Sequence, residues 1–184
     1  MIETEQSIVI NAAIEDVWGY VSEIHRWANL MPGCKSCTVI SRDDSRWLLK
    51  IGVGGLVRTV NVLVHVDQWE GPQLVLFSYQ CEGDPVVGGG AYSAKAKSAR
   101  ETDVAFKVRV QGSGSMAPMW EAMCKPLLPQ LAKSFAKRLK DEIEKSAGAA
   151  LDSKDEKMSE TATVEPAAAG TTLQKLWRST FGSD

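Results

Sequence analysis

From residue 36 to residue 111, apolar and polar positions alternate with a period close to two, and turn-forming residues interrupt the alternation at intervals. That pattern predicts half-buried strands joined by hairpins. The strands fall at residues 36–41, 46–53, 56–69, 74–82, 91–99 and 103–111. Asp43-Asp44, Gly54-Gly55, Gly71-Pro72 and Gly88-Gly89-Gly90 read as the turns between them. Ahead of this block, Ser7-Ile8-Val9-Ile10 reads as the end of a first strand. Asn11 can cap a short helix reaching Tyr20 or Val21, with Ile14, Val17, Trp18 and Val21 on one face. A second short helix covers residues 24–30, and Pro32-Gly33 breaks the chain after it. Beyond the strands the period lengthens to that of a helix over residues 118–146. Its stripe is Leu127, Leu128, Leu131, Phe135, Leu139 and Ile143. Pro126 and Pro129 are expected to kink or split its first turns.

This order predicts an α+β fold. An antiparallel sheet of about seven strands has one apolar face to cover, and only the long C-terminal helix is long enough to cover it. A twisted sheet wrapped on one helix leaves a gap unless large side chains fill it. Alternation turns four rows inward: Val60, Val62, Val64, Val66; Val75, Phe77, Tyr79, Cys81; Tyr92, Ala94, Ala96; and Val104, Phe106, Val108, Val110. Ala94 and Ala96 are small where bulk would close the centre, which favours a void. Trp27, Leu30, Met31, Met119, Trp120 and Met123 flank an entrance. The expected ligand contacts are Trp27, Leu30, Met31, Val62, Val64, Phe77, Tyr79, Tyr92, Ala94, Phe106, Val108, Trp120, Met123, Leu127, Leu131 and Phe135.

The apolar periodicity stops near residue 147. Residues 147–170 are rich in Ala, Ser, Thr and Glu and hold no aromatic residue. Such a stretch buries too little apolar surface to offset its ordering entropy, so a disordered linker is expected. Residues 171–184 regain an apolar face through Leu173, Leu176, Trp177 and Phe181, flanked by Lys175 and Arg178. A helix this short gains its stability from whatever it docks on, a membrane surface or a partner groove. The division is therefore residues 1–146 as the ligand-binding domain, 147–170 as linker and 171–184 as docking segment.

Composition narrows the function classes. Of 184 residues, 21 are Lys or Arg and 23 are Asp or Glu, so the chain lacks the basic excess of a general nucleic-acid binder. No apolar run reaches the roughly 18–20 residues that span a bilayer. The opening MIETEQSIVI has early acids and no basic stretch, so a cytoplasmic protein with reduced thiols is expected. Cys34 and Cys37 form a CxxC without a second pair, so neither zinc nor a disulfide is expected there, and no cofactor is expected elsewhere. His25 and His65 are the two histidines, and neither has a neighbour at catalytic spacing.

Certain residues carry a family likeness. Asp16-Val17-Trp18 in the first helix and Met31-Pro32-Gly33-Cys34 after the second are two of them. Ile51-Gly52, Gly88-Gly89-Gly90-Ala91 and the inward Leu131-Ala132 and Phe135 complete the set. With the element order, they resemble the helix-grip superfamily of START-like and Bet v 1-like proteins (SRPBCC). Within it they are most similar to the G-type accessory proteins of carbon monoxide dehydrogenase. The resemblance covers residues 1–146. It implies a cavity for a lipophilic small molecule such as a quinone or lipid. It also implies a non-enzymatic accessory role: recruiting a CO dehydrogenase-type molybdenum hydroxylase to the cytoplasmic face of the membrane. The rival expectation is a cyclase or dehydratase of the polyketide type using the same cavity, with His25, His65 or Tyr92 as its polar groups.

Overall fold

The computed structural model describes residues 1–53 and 56–160. The chain divides into two compact units, Met1–Gly148 and Ala149–Asp184. In chain order the elements are β1 (Ile2–Ile10), α1 (Ile14–Val21), α2 (Ile24–Leu30), β2 (Cys34–Val39), β3 (Asp44–Val53), β4 (Leu56–Glu70), β5 (Leu74–Glu82), β6 (Val86–Ser98), β7 (Glu101–Gly112) and α3 (Ala117–Glu160). A short 3₁₀ turn, Gly114–Met116, leads into α3.

The seven strands form one antiparallel sheet in the order β1-β7-β6-β5-β4-β3-β2. Strands β2 to β7 follow one another as hairpins, and β1 adds beside β7. The α1–α2 pair therefore carries the chain from one sheet edge to the other. The turn after α2 is closed by Cys34 N–H donating to the Met31 carbonyl at 3.1 Å. Gly33 sits there with φ +82°, and a Cβ at that position would run into the Lys50 carbonyl. The Trp18 ring meets Trp69 edge-on, with centroids 6.1 Å apart, and lies over Gly71. Trp27 on α2 donates its indole N–H to the Val21 carbonyl at 2.8 Å.

The core forms two clusters. The larger joins α1 and α2 to the sheet and to Phe135, Ala136, Leu139 and Ile143 of α3. The smaller gathers Val86, Val110, Trp120, Cys124 and Leu128 around the first turns of α3.

The structure differs from the sequence reading at four places. Asn11 does not cap α1: the N-cap is Ala13, and the Asn11 backbone N–H donates to Glu144 Oε1 at 2.7 Å. Glu15 and Asp16 in the first turn complement the helix dipole instead. The Gly88-Gly89-Gly90 run is not a turn but lies inside β6, and the reversal is made at Gly83, whose φ is +79°. A Cβ on Gly88 would overlap the Tyr79 ring, and one on Gly90 would lie 2.7 Å from Phe77 Cζ. These glycines thus make room for two aromatic rings on the neighbouring strand. Ala96 is exposed, not inward-facing, because it lies next to the bulge that ends the β6–β7 pairing. Finally, α3 is not split by Pro126 and Pro129, and it continues to Glu160 past the expected start of the linker. The carbonyls that lose partners to the prolines belong to Ala122 and Lys125, both exposed, where water replaces them. The helix continues beyond residue 146 because Ala, Leu, Lys and Glu are good helix formers even where no core pairs with them. The docking segment of Leu173, Leu176, Trp177 and Phe181 lies outside the described residues.

Candidate functional site

Between α3 and the concave face of the sheet lies a cavity of about 170 Å³. Its walls follow from strand alternation. Trp47, Leu49 and Ile51 come from β3, and Val60, Val62 and Val64 from β4. Phe77, Tyr79 and Cys81 come from β5, and Phe106, Val108 and Val110 from β7. α3 closes the space with Trp120, Cys124, Leu127, Leu128, Leu131, Ala132 and Phe135, and Trp27 and Met31 reach it from α2 and the following turn. Phe77, Tyr79, Cys81 and Val108 are only half-buried although they sit on inner strands, because their inner faces look into this space. Met31, Ile51, Leu127 and Leu131 are also half-exposed and form the rim. A cavity of about 150 Å³ with aliphatic and aromatic walls admits a single benzene ring. The volume here therefore suits one ring or a short alkyl chain.

The polar atoms of the wall are few and mostly engaged. The Trp27 N–H is held by the Val21 carbonyl, and Trp47 donates its indole N–H to Ser45 Oγ at 2.8 Å. Tyr79 donates its hydroxyl to the Arg109 carbonyl at 2.8 Å, and burial holds its pKa far above the ordinary phenol value. Burial also pushes the Cys81 thiol up to about 11 and raises that of Cys124. All these groups stay neutral at pH 7. Among the described residues, no His, Lys, Arg, Asp or Glu lines the cavity. A second depression of about 500 Å³ runs over the outer face of β1, β7 and β6, along Ser7, Val9, Ser93, Lys95 and Asp103. It is wider but lies open to solvent, so the smaller, enclosed cavity is the better ligand site.

Twelve of the sixteen expected contacts line the cavity: Trp27, Met31, Val62, Val64, Phe77, Tyr79, Phe106, Val108, Trp120, Leu127, Leu131 and Phe135. The other four do not. Leu30 is buried behind α2. Met123 packs on the smaller core cluster. Ala94 borders the outer depression. Tyr92 is fully buried against Phe106, with ring centroids 5.6 Å apart, and its hydroxyl has no hydrogen-bond partner among the described residues. Both β6 residues lie where the larger core is densely filled rather than hollow. The β3 row Trp47, Leu49, Ile51 is absent from the expected contacts, although its alternation is as regular as that of β4. Val60, Cys81 and Val110 share the inward parity of their neighbours and are wall residues the sequence reading left out.

The histidines stand outside. His65 is half-exposed, its Nδ1 2.7 Å from Asp44 Oδ1, and that carboxylate raises its pKa. His25 is equally exposed and lies 3.3 Å from Glu23. Cys34 and Cys37 are free thiols on β2. A bulge between Cys34 and Ser36 turns both toward the core, and burial raises their pKa values. No cluster of metal-ligating side chains is found among the described residues, nor any helix long and apolar enough to cross a membrane.

Comparison with known families adds one assignment. Residues 1–148 match the family described as "Polyketide cyclase / dehydrase and lipid transport". The chain belongs to that family. No curated protein matches it. Among solved structures, a conserved protein from Geobacillus kaustophilus superposes with a TM-score of 0.69 at 22% identity, covering 79% of this chain and 97% of that one. A START superfamily protein from Mycobacterium smegmatis gives 0.60 at 15% identity, covering 78% and 97%. The di-domain ARO/CYC StfQ of the steffimycin biosynthetic pathway gives 0.58 at 11% identity, covering 80% of this chain and 52% of that one. At these identities the likeness is one of fold, and the fold is the START/Bet v 1-like helix grip.

Proposed function

We propose that this member of the family is a non-enzymatic carrier. It holds a lipophilic small molecule, of the class of a quinone or lipid, in the cavity under α3. The observation that supports this is the chemistry of the wall. A cyclase or dehydratase needs a proton donor or acceptor within reach of its substrate. Here the walls offer thiols and a phenol that burial keeps protonated, and both histidines lie on the outer surface. Apolar walls with bonded polar atoms bind by shape and by water release.

The second part of the proposal is an accessory role beside a CO dehydrogenase-type molybdenum hydroxylase, with residues 171–184 as the contact to the membrane. It is supported only by the resemblance of Asp16-Val17-Trp18 and Met31-Pro32-Gly33-Cys34, residues engaged in packing α1 and closing the turn to β2. Those positions serve the fold whatever the partner is.

The test is native mass spectrometry of gently purified protein. The parent is expected to retain a lipophilic mass. Ala132→Phe, which places a ring in the cavity from a buried position on α3, is expected to lose that mass while remaining folded. An Ala132→Phe variant that still holds the same mass would move the ligand elsewhere. Co-purification of the tagged chain from its native cells is expected to recover a molybdenum hydroxylase. Recovery of the loaded carrier alone removes the second part and leaves the first standing.

A further inference from the structure

The inward rows of β3 to β7 are apolar or uncharged except at one position. On β4 the row reads Arg58, Val60, Val62, Val64, Val66, and Arg58 is the only charged residue in these rows among the described residues. Arg58 stands where the cavity ends. Its guanidinium lies over the ring of Trp120, 5.0 Å from the centroid, and Trp120 is itself a wall of the cavity. The positive charge of Arg58 and the negative charge of Asp84 are both felt by the Cys81 thiol, another wall residue. Arg58 thus closes one end of an apolar chamber while its side chain remains 46% exposed to water.

The guanidinium is only partly used. Arg58 Nη2 donates to Asp84 Oδ1 at 2.6 Å, and among the described residues Asp84 is the only group that accepts from it. Asp84 is 10% exposed and acts as a fixed counter-charge that aims the fork. A guanidinium carries five donors in a planar fork matched to a carboxylate. A cation placed at the end of an apolar chamber, half in water and with donors to spare, favours a ligand with the complementary division.

Resting on the carrier reading, we infer that the ligand is a compact anionic amphiphile: a single-ring or short-chain carboxylate. Its apolar body lies against the β4 valines and α3, and its carboxylate is held by the exposed side of the Arg58 fork. A neutral ligand of the same body fills the chamber but leaves the donors to water. A cationic one meets Arg58 as a like charge.

Three ligands with the same eight-carbon body separate these cases: octanoate, 1-octanol and octylamine, titrated calorimetrically into the full chain at pH 8. Octanoate is expected to bind about tenfold more tightly than 1-octanol, the effect of one charge-assisted contact at a partly solvated site. Octylamine should bind weakest. Arg58→Gln should remove the preference for octanoate and leave 1-octanol unchanged. Asp84→Asn, which frees a further donor and removes a negative charge, should tighten octanoate severalfold. Equal binding of octanoate and 1-octanol by the parent would overturn this inference and leave the carrier standing. Binding of none of the three would overturn both. Should Arg58→Gln fail to fold, the parent's ranking and the Asp84→Asn variant still decide the matter.

Discussion

Replacing Phe135 by Ala is expected to destabilise the domain by about 3 kcal/mol, toward the low end of the range for truncating a buried aromatic side chain. Phe135 is 6% exposed and stands between the larger core and the cavity. Its ring meets Phe106 at 5.2 Å and Trp27 at 6.4 Å, both edge-on, so one side chain ties α3 to β7 and to α2. Truncation removes both aromatic pairs as well as the apolar area they bury. The loss stays near the low end because part of one face already looks into empty space. For a domain of this size it corresponds to a fall in Tm of roughly 6–12 °C. Urea melts should show the midpoint moving with an unchanged slope. Phe135→Leu should cost about a third as much, since it keeps the bulk and loses the ring. A cost below about 1 kcal/mol for Phe135→Ala would mean that the ring does not join the two parts of the domain. The same truncation enlarges the cavity, so binding of a bulkier apolar probe should improve even as stability falls.

Much of this architecture was readable in the chain because it depends on local period. β5 spans Leu74–Glu82 and β3 ends at Val53, as the alternation indicated, and the inward parity of β4, β5 and β7 carried most of the cavity wall. The features that escaped depend on distant neighbours. A run of three glycines has the same local signature in a hairpin turn as in a strand facing two aromatic rings. Which it is depends on Phe77 and Tyr79, on another strand. Parity says which side chains face α3, but not where along the sheet the helix packs tightly and where it leaves a gap. Tyr92 and Ala94 have the inward parity and sit in filled core, whereas Trp47, Leu49 and Ile51 border the void. The end of α3 escaped for another reason: hydrophobic periodicity ends at residue 146, but helix propensity does not. Arg58 was legible as a lone charge in a row of valines, but its place at the end of the chamber depends on Trp120, which lies on α3.

Gly90→Ala is expected to cost about 3 kcal/mol or to prevent folding, although it adds a single methyl group. Gly90 lies in β6 between β5 and β7, paired with Phe77 on one side and Val108 on the other. A Cβ at this position would overlap the Lys107 carbonyl oxygen and come within 2.7 Å of Phe77 Cζ. The ring can swing a few tenths of an ångström. The carbonyl belongs to the backbone of the paired strand β7 and cannot retreat without stretching the β6–β7 ladder. Overpacking a close-packed region costs about 1–3 kcal/mol, and more when backbone must move. Displacing Phe77 also pushes a wall residue into the cavity, so any folded Gly90→Ala protein should lose ligand. Gly19 on α1 supplies the control. It has nothing within 4 Å of a built Cβ, so Gly19→Ala should stabilise the domain by about 0.5–1 kcal/mol through helix propensity alone. Thermal melts of the two variants beside the parent should therefore move in opposite directions. A Gly90→Ala protein that melts with the parent and retains its ligand would mean that the glycines of β6 do not shape the chamber, and that Phe77 and Tyr79 are held by something other than the space those glycines leave.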